Sequence, residues 1–292
     1  MTKHIRNLLV SLLFITIAVI MAVLPVFSAT SDSITYGGVE YPVVTIKING
    51  KSVSDMNALL INGTTMVPFR AICEAIKPDE GTISWNEKLQ ASTYSSYLLQ
   101  IRAQDGDCYI KANNRYFYNE TPITIINGTM YVPLRTMAKA FSTFVEWNGS
   151  ERSANLIPTG KTLLSASAVY DSDELLVLSR IINSESRFEP LKGKIAVGNV
   201  VMNRVAHWQF PNTVEEVVFD QRNGVTQFQP ITSPVFYEDP TAESIIAAKI
   251  VLEGYTVSTD ILYYLNIDLA TNMWIVEICT SEMKIGNHSF YS

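Results

Sequence analysis

Glu185 is the residue whose surroundings most resemble a site built for chemistry. Asp171-Ser172-Asp173-Glu174 reads as a helix start with acids in its first turn, and Leu175, Leu178, Ile181 and Ile182 follow at helical spacing. Glu185 falls three and four residues beyond Ile182 and Ile181, on the same apolar face. A carboxyl group on a buried stripe loses water, which disfavours its charged form and raises its pKa, as a general acid requires. The competing reading is a salt bridge to Arg187 or Arg204 at a helix end. A second carboxylate of similar promise is not evident. Glu189 precedes Pro190, which pushes it out of helical backbone and makes it a helix-end or supporting acid. Asp239, before Pro240, reads as a helix cap. His288 stands alone and suits orienting a neighbour.

With three His and three Cys scattered along the chain, no metal-ligand spacing arises, and neither metal nor cofactor is expected. Cys73, Cys108 and Cys279 cannot all pair within one chain. A Cys73–Cys108 disulfide stays open beside the reading that all three are small buried hydrophobes.

Several elements must hold Glu185 in place. Ala196, Val197, Val200 and Val201 make the stripe of a second helix from Gly193 to about Val205. A third helix runs from Asp239-Pro240 through Ile245, Ile246, Ile250 and Val251 to Gly254. Between them lies a loop, Phe210 to Glu238, of a length that is usually functional or disordered. Ile261 to Asn266 is strand-like and aromatic, and Trp274 reads as core.

The first half is a duplication. Ile61-Asn62-Gly63-Thr64-Thr65-Met66-Val67-Pro68-Phe69-Arg70 recurs 65 residues later as Ile126-Asn127-Gly128-Thr129-Met130-Tyr131-Val132-Pro133-Leu134-Arg135. Lys47 to Lys51 matches Lys111 to Arg115 ahead of each copy, and Trp85-Asn86 matches Trp147-Asn148 behind it. Asn-Gly is the dipeptide of a two-residue hairpin, which explains the Asn-x-Ser/Thr triplets without invoking sugar. Pro68 and Pro133 end a strand and begin a short helix. The doubled elements resemble the stalk-type domain named after the N-terminus of copper amine oxidases, which implies a spacer or wall-contacting module and no copper. The expected organisation is an α+β repeat domain at 33–157, a small, polar linker at 158–172 and a second domain at 173–292.

Residues 1–28 have the three-part layout of an export signal. Lys3 and Arg6 form a basic start, a 17-residue apolar run spans Leu8 to Leu24, and Pro25 and Ser28 mark a cleavage region. Uncleaved, it would be a membrane anchor, since the run approaches the ~20 residues that span a bilayer. Either way the remainder is expected outside the cytoplasm. The formal charge is −6; without Lys3 and Arg6, 20 basic face 28 acidic residues, or −8. No basic stripe appears, which argues against nucleic acid and against nonspecific attraction to an anionic wall.

The run from Arg180 through Asn183, Glu185, Arg187, Glu189-Pro190, Gly193 and Ala196-Val197 to Asn203-Arg204-Val205 closely resembles the spore cortex-lytic/cell-wall hydrolase family. So do Phe210-Pro211-Asn212-Thr213, Gln227-Phe228, Tyr263-Tyr264-Leu265-Asn266 and Ile285-Gly286-Asn287-His288. The resemblance implies a mainly helical, lysozyme-like domain, a glycan strand of peptidoglycan as partner, and Glu185 as the catalytic residue. Gln227, Phe228, Tyr264 and Asn266 are expected at the substrate, through stacking and amide hydrogen bonds, or else as core and loop contacts. The resemblance favours a one-glutamate lytic transglycosylase, in the cell wall or spore envelope. Still open are an inactive wall-binding or spore-structural protein and a two-carboxylate hydrolase. Ser186 and Phe188 depart from the family pattern, and Phe188 is expected beside the cleft.

Overall fold

Each copy of the duplicated motif makes the same hairpins. A computed structural model describes residues 33–77, 80–222, 224–270 and 273–292. The expected export segment lies outside them; among the described residues no helix is long and apolar enough to cross a membrane. The first copy comprises β1 (Ser33–Tyr36), β2 (Val39–Ile48), β3 (Lys51–Ser52), β4 (Ala58–Ile61), β5 (Thr64–Pro68), α1 (Phe69–Ile76), β6 (Thr82–Asn86) and β7 (Ala91–Ser95). After β8 (Gln100–Gln104), the second comprises β9 (Tyr109–Ala112), β10 (Arg115–Tyr118), β11 (Thr124–Ile126), β12 (Thr129–Pro133), α2 (Leu134–Ala140), β13 (Thr143–Asn148) and β14 (Ser153–Pro158).

The turn residues Asn62 and Gly63 have φ of 49° and 74°, and Asn127 and Gly128 have 49° and 73°. Asn49-Gly50 and Asn113-Asn114 repeat the pattern of two positive φ values. Asn and Gly reach that region cheaply, so the sequence selects these turns. Pro68 and Pro133 cap their helices from the preceding position rather than starting them. The copies meet where β12 pairs antiparallel with β5, Val132 opposite Val67. One sheet runs β11-β12-β5-β4-β2-β14-β13, with β1 and β3 attached to β2; a second runs β10-β9-β8-β7-β6. Their shared core includes Ile46, Val67, Ile72, Ile101, Ile110, Val132 and Met137. All three cysteines are free; Cys73 is buried, whereas Cys108 and Cys279 are only half-buried. The stretch expected as a linker carries a short helix, α3 (Ala166–Val169). It is pinned to the repeat half where Asn113 Nδ2 donates to the Leu163 carbonyl at 2.9 Å and the Ala166 amide to the Asn113 carbonyl at 3.0 Å.

The C-terminal part contains α4 (Ser172–Ser186), α5 (Leu191–Ala206), α6 (Val214–Val218), the hairpin β15 (Gln221–Arg222) and β16 (Val225–Thr226), α7 (Ala242–Leu252), β17 (Tyr263–Leu265), α8 (Trp274–Ile278), β18 (Ser281–Ile285) and β19 (His288–Tyr291). The expected helices are present, but β17, β19 and β18 form a sheet as well, so this part is mixed rather than mainly helical. Asp171 caps α4 by accepting from the amides of Asp173 and Glu174. Leu178, Ile181 and Ile182 of α4 pack on Ile195, Val197 and Val201 of α5 and on Ala247 and Ile250 of α7. Each of the Val, Leu and Ile side chains contributes roughly 1.5–3 kcal/mol when fully buried. The helices pack tightly at Gly198, where a Cβ would sit 2.9 Å from both Ile182 and Val251.

The cap of α7 is Thr241, whose side chain accepts from the Ser244 amide, and not Asp239. The Thr241 amide is itself bound to Asn183 Oδ1 at 3.0 Å, which sets where α7 can begin. The segment expected as a long loop is ordered by α6, the β15–β16 hairpin and two 3-10 turns (Gln229–Thr232 and Pro234–Tyr237).

Residues 34–292 cluster as one unit, and β9 and β10 join its two parts. Arg115 on β10 makes a bidentate pair with Glu253 at 2.6 and 2.7 Å, and the Tyr170 hydroxyl also donates to Glu253. Tyr118 packs on Tyr255 with ring centroids 4.5 Å apart.

Candidate active site

The site is assembled by polar residues at the end of α5. Asn203 Nδ2 donates to the carbonyls of Ser258 and Ile261 at 3.0 and 2.9 Å, and Arg204 Nε donates to the Leu262 carbonyl at 2.8 Å. One turn earlier, Asn199 accepts from the Val257 amide and donates to the Tyr255 carbonyl. These bonds lash the segment between α7 and β17 to α5, and β17 then brings Tyr264 to Glu185 on the last turn of α4. Tyr264 is braced from behind by His288 and Phe290 of β19, with ring centroids 5.2 and 5.8 Å away.

Burial pushes the Glu185 carboxyl up from 4.5 to about 7, and its hydrogen bond to Tyr264 and the Arg204 charge pull it back only partly. Near neutrality this carboxyl therefore holds a transferable proton. Tyr264, raised well above its ordinary value by burial and by Glu185, stays neutral and can donate. Arg204 is 5% exposed, and its guanidinium lies 5.1, 4.9 and 5.4 Å from the ring centroids of Phe210, Phe228 and Tyr263. Its Nη1 has no hydrogen-bond partner. The cation thus acts on Glu185 at a distance, and no Glu185 salt bridge forms among the described residues.

Glu189 belongs to the framework. Burial raises its pKa, but hydrogen bonds from the Asn287 amide and side chain, both at 2.9 Å, bring it below the ordinary carboxylate range. The anion pins the β18–β19 turn to the α4–α5 junction. Gly286 has φ of 60°, and a Cβ there would collide with the Glu189 carboxylate. Lys194, buried beside it, donates to the Glu189 carbonyl and pairs with Glu243 at 2.7 Å. Burial lowers the His288 pKa, with Glu189 opposing, and His288 Nδ1 has no partner.

Of the residues expected at the substrate, Tyr264 is brought to Glu185. Phe228 is 2% exposed and lies against Arg204. Gln227 is half-buried, its side chain turned to the Val225 carbonyl at 3.5 Å. Asn266 Oδ1 accepts from the Asp268 amide at 3.1 Å. Phe188 is 93% exposed and points away from the packed interior. Trp274, expected in the core, is 41% exposed and meets Tyr263 edge-on at 5.5 Å. The organising roles of Asn183, Asn199, Asn203 and Lys194 escaped the sequence reading. Asn199 and Asn203, four residues apart on one face of an apolar helix, were the available signal. Among the described residues no cluster of His, Cys, Asp and Glu could hold a metal ion.

Residues 188–291 match the family described as Cell Wall Hydrolase, and residues 47–156 match the Copper amine oxidase N-terminal domain. The former match begins three residues after Glu185. A spore cortex-lytic enzyme of Bacillus cereus is 33% identical over 121 residues, covering 41% of this chain and 45% of the relative. That of Bacillus subtilis is 29% identical over 121 residues, covering 41% and 38%. The chain thus spans less than half the length of these relatives. The solved catalytic domain of the germination-specific lytic transglycosylase SleB from Bacillus anthracis aligns with a TM-score of 0.39 and 32% identity, over 42% of this chain and 97% of that one. This chain therefore joins a domain of the copper amine oxidase N-terminal family to a C-terminal cell wall hydrolase domain homologous to that of spore cortex-lytic enzymes.

Proposed function

We propose that the protein is an exported enzyme that cleaves the glycan strands of peptidoglycan as a lytic transglycosylase, with Glu185 as its one catalytic carboxyl group. The observation that carries this reading is the company Glu185 keeps. The groups that act on it are Tyr264 and Arg204, and no carboxylate is among them. Two-carboxylate hydrolysis needs a second acid flanking the scissile bond. A lone protonated glutamate instead suits a reaction in which the substrate supplies its own nucleophile. Glu185 gives its proton to the glycosidic oxygen, and the bond to C1 of the muramic acid residue breaks. The C6 hydroxyl of that residue attacks C1, and its proton goes to the Glu185 carboxylate. The product is a 1,6-anhydro sugar, and Glu185 ends protonated as it began. Tyr264 and Arg204 stabilise the carboxylate while it is charged.

In this reading residues 173–292 form a lysozyme-like domain around Glu185. Gln227, Tyr264 and Asn266 contact sugar, and Phe228 supports from beneath through Arg204. Residues 33–157 form the stalk-like domain, 158–172 the connection and 1–28 the export signal, which places the enzyme in the cell wall or spore envelope. The test is digestion of purified cortex and vegetative peptidoglycan by the chain from Thr30 onward and by its Glu185→Gln variant, with mass spectrometry of the products. Anhydro-muropeptides from the unmodified chain alone are expected. Reducing-end sugars would replace this mechanism with a water nucleophile and a second carboxylate. Binding without release from either substrate would make the protein a wall-binding one.

A further inference from the structure

The repeat half carries an open cavity of about 660 Å³ between its two copies, within the volume range of small-ligand sites. Its walls come from α1, the β6–β7 hairpin and the turn before β12, so it exists only because the duplicated halves are docked. Trp85 stands in its wall with 43% of its surface exposed. Its indole N–H donates to Glu87 Oε2 at 2.6 Å, and Gln90 Nε2 donates to the Glu87 carbonyl at 2.8 Å. Together these bonds hold the ring in place. Arg70, also in the wall, is loosely paired with Glu74 at 3.5 Å and largely exposed. Asp55, Glu74 and Glu87 set three carboxylates against this one cation.

We infer that this cavity is a second glycan-binding site, taking a neutral run of N-acetylated aminosugar rings. A pyranose ring presents a face of C–H bonds that packs on an immobilised indole, and its hydroxyl and acetamido groups are donors that carboxylates accept. The excess of carboxylates over cations turns away phosphate-rich polymers, whose charge has the same sign. That the natural ligand is peptidoglycan rests on the function proposed above; the cavity's preference for a neutral sugar face does not. Because residues 34–292 are one unit, a strand held here would add its grip to that of the Glu185 site, as any second tethered contact does.

The experiment is co-sedimentation of the full Glu185→Gln chain with peptidoglycan stripped of anionic polymers, with the N-acetylglucosamine hexamer and polyphosphate as competitors. Trp85→Ala in that background is expected to weaken binding about tenfold, about 1.4 kcal/mol, without changing the thermal midpoint. Trp85→Phe should keep most of the binding. Trp147→Ala removes an equally exposed indole that lies outside the cavity, and should change nothing. The hexamer should compete and polyphosphate should not. Binding that ignores Trp85→Ala, falls equally with Trp147→Ala, or yields to polyphosphate alone would overturn the inference. If the unmodified chain releases no product while Trp85-dependent binding persists, the catalytic reading fails and this one stands. If release is intact and binding ignores Trp85, the reverse holds.

Discussion

Replacing Glu185 with glutamine should stabilise the protein, and by an amount that depends on pH. The Glu185 carboxyl titrates at about 7 in the folded chain against an ordinary value of 4.5. Its folded-state pKa is raised, so the native state holds a proton that the unfolded state has released across that interval. Stability contributed by this group is fully present below about 4.5 and is lost as pH rises through about 7. At about 1.4 kcal/mol for each pH unit between the two values, the loss is about 3 kcal/mol by pH 8. That is an upper figure, because Glu185 as a residue keeps some contact with solvent, which screens part of the effect. Glutamine fills the same space and never ionises, so the variant avoids the loss. Urea unfolding of both proteins at pH 4, 6 and 8 isolates this group, since every other titration is common to the pair. The advantage of Glu185→Gln should grow from near zero at pH 4 to about 2–3 kcal/mol at pH 8. A difference that stays flat across that range would refute the claim that Glu185 is held protonated by burial.

The pH dependence of glycan release should fall on its alkaline side near 7, where Glu185 loses its proton. Tyr264→Phe removes a hydrogen bond that favours the charged form, so that limb should move to higher pH in initial-rate profiles. Gly286→Ala sets a Cβ against the Glu189 carboxylate at positive φ and should destabilise by roughly 1–3 kcal/mol in denaturant titrations. Arg115→Ala leaves Glu253 buried without its cation and should cost about 3–5 kcal/mol, whereas Arg115→Met with Glu253→Met should cost far less in the same assay.

Local rules carried much of the fold. The hairpins of the repeat half follow from Asn and Gly, whose freedom at positive φ is a property of the residue, so the sequence alone locates them. The start of α4 was legible for the same reason, because Asp171 caps it with its own side chain. Thr241 was not legible as the cap of α7. Asp239-Pro240 offers an equally good local signal, and the choice was made by Asn183, 58 residues away. Of the sheet of β17, β19 and β18 only the β17 strand was legible, since β18 and β19 are a short hairpin and β17 meets β19 from a distant part of the sequence. At the site, helical periodicity put Glu185 on a buried face but could not show what faces it. Arg204 was legible only as a possible ion-pair partner, because three of the rings around it come from separate segments.

Glu185 differs from Glu189, Glu243 and Glu253 in having neither a salt bridge nor an amide donor on its carboxyl group. Glu189 receives two hydrogen bonds from Asn287, Glu243 pairs with Lys194, and Glu253 takes both arms of Arg115 and the Tyr170 hydroxyl. At Glu189 those bonds hold the carboxyl below the ordinary carboxylate range, so it is a poor proton donor near neutrality. Glu185 has a phenol and a cation that does not touch it, and burial outweighs both. Moving Arg204 close enough to form a salt bridge would hold Glu185 ionised and take away its proton. Removing Arg204 would leave the carboxylate formed in the reaction without support. The aromatic ring contacts that retain Arg204, and the Leu262 carbonyl that anchors its Nε, fix it between these extremes. The proton-donating character of Glu185 is thus set as much by the distance kept at Arg204 as by the burial of Glu185 itself.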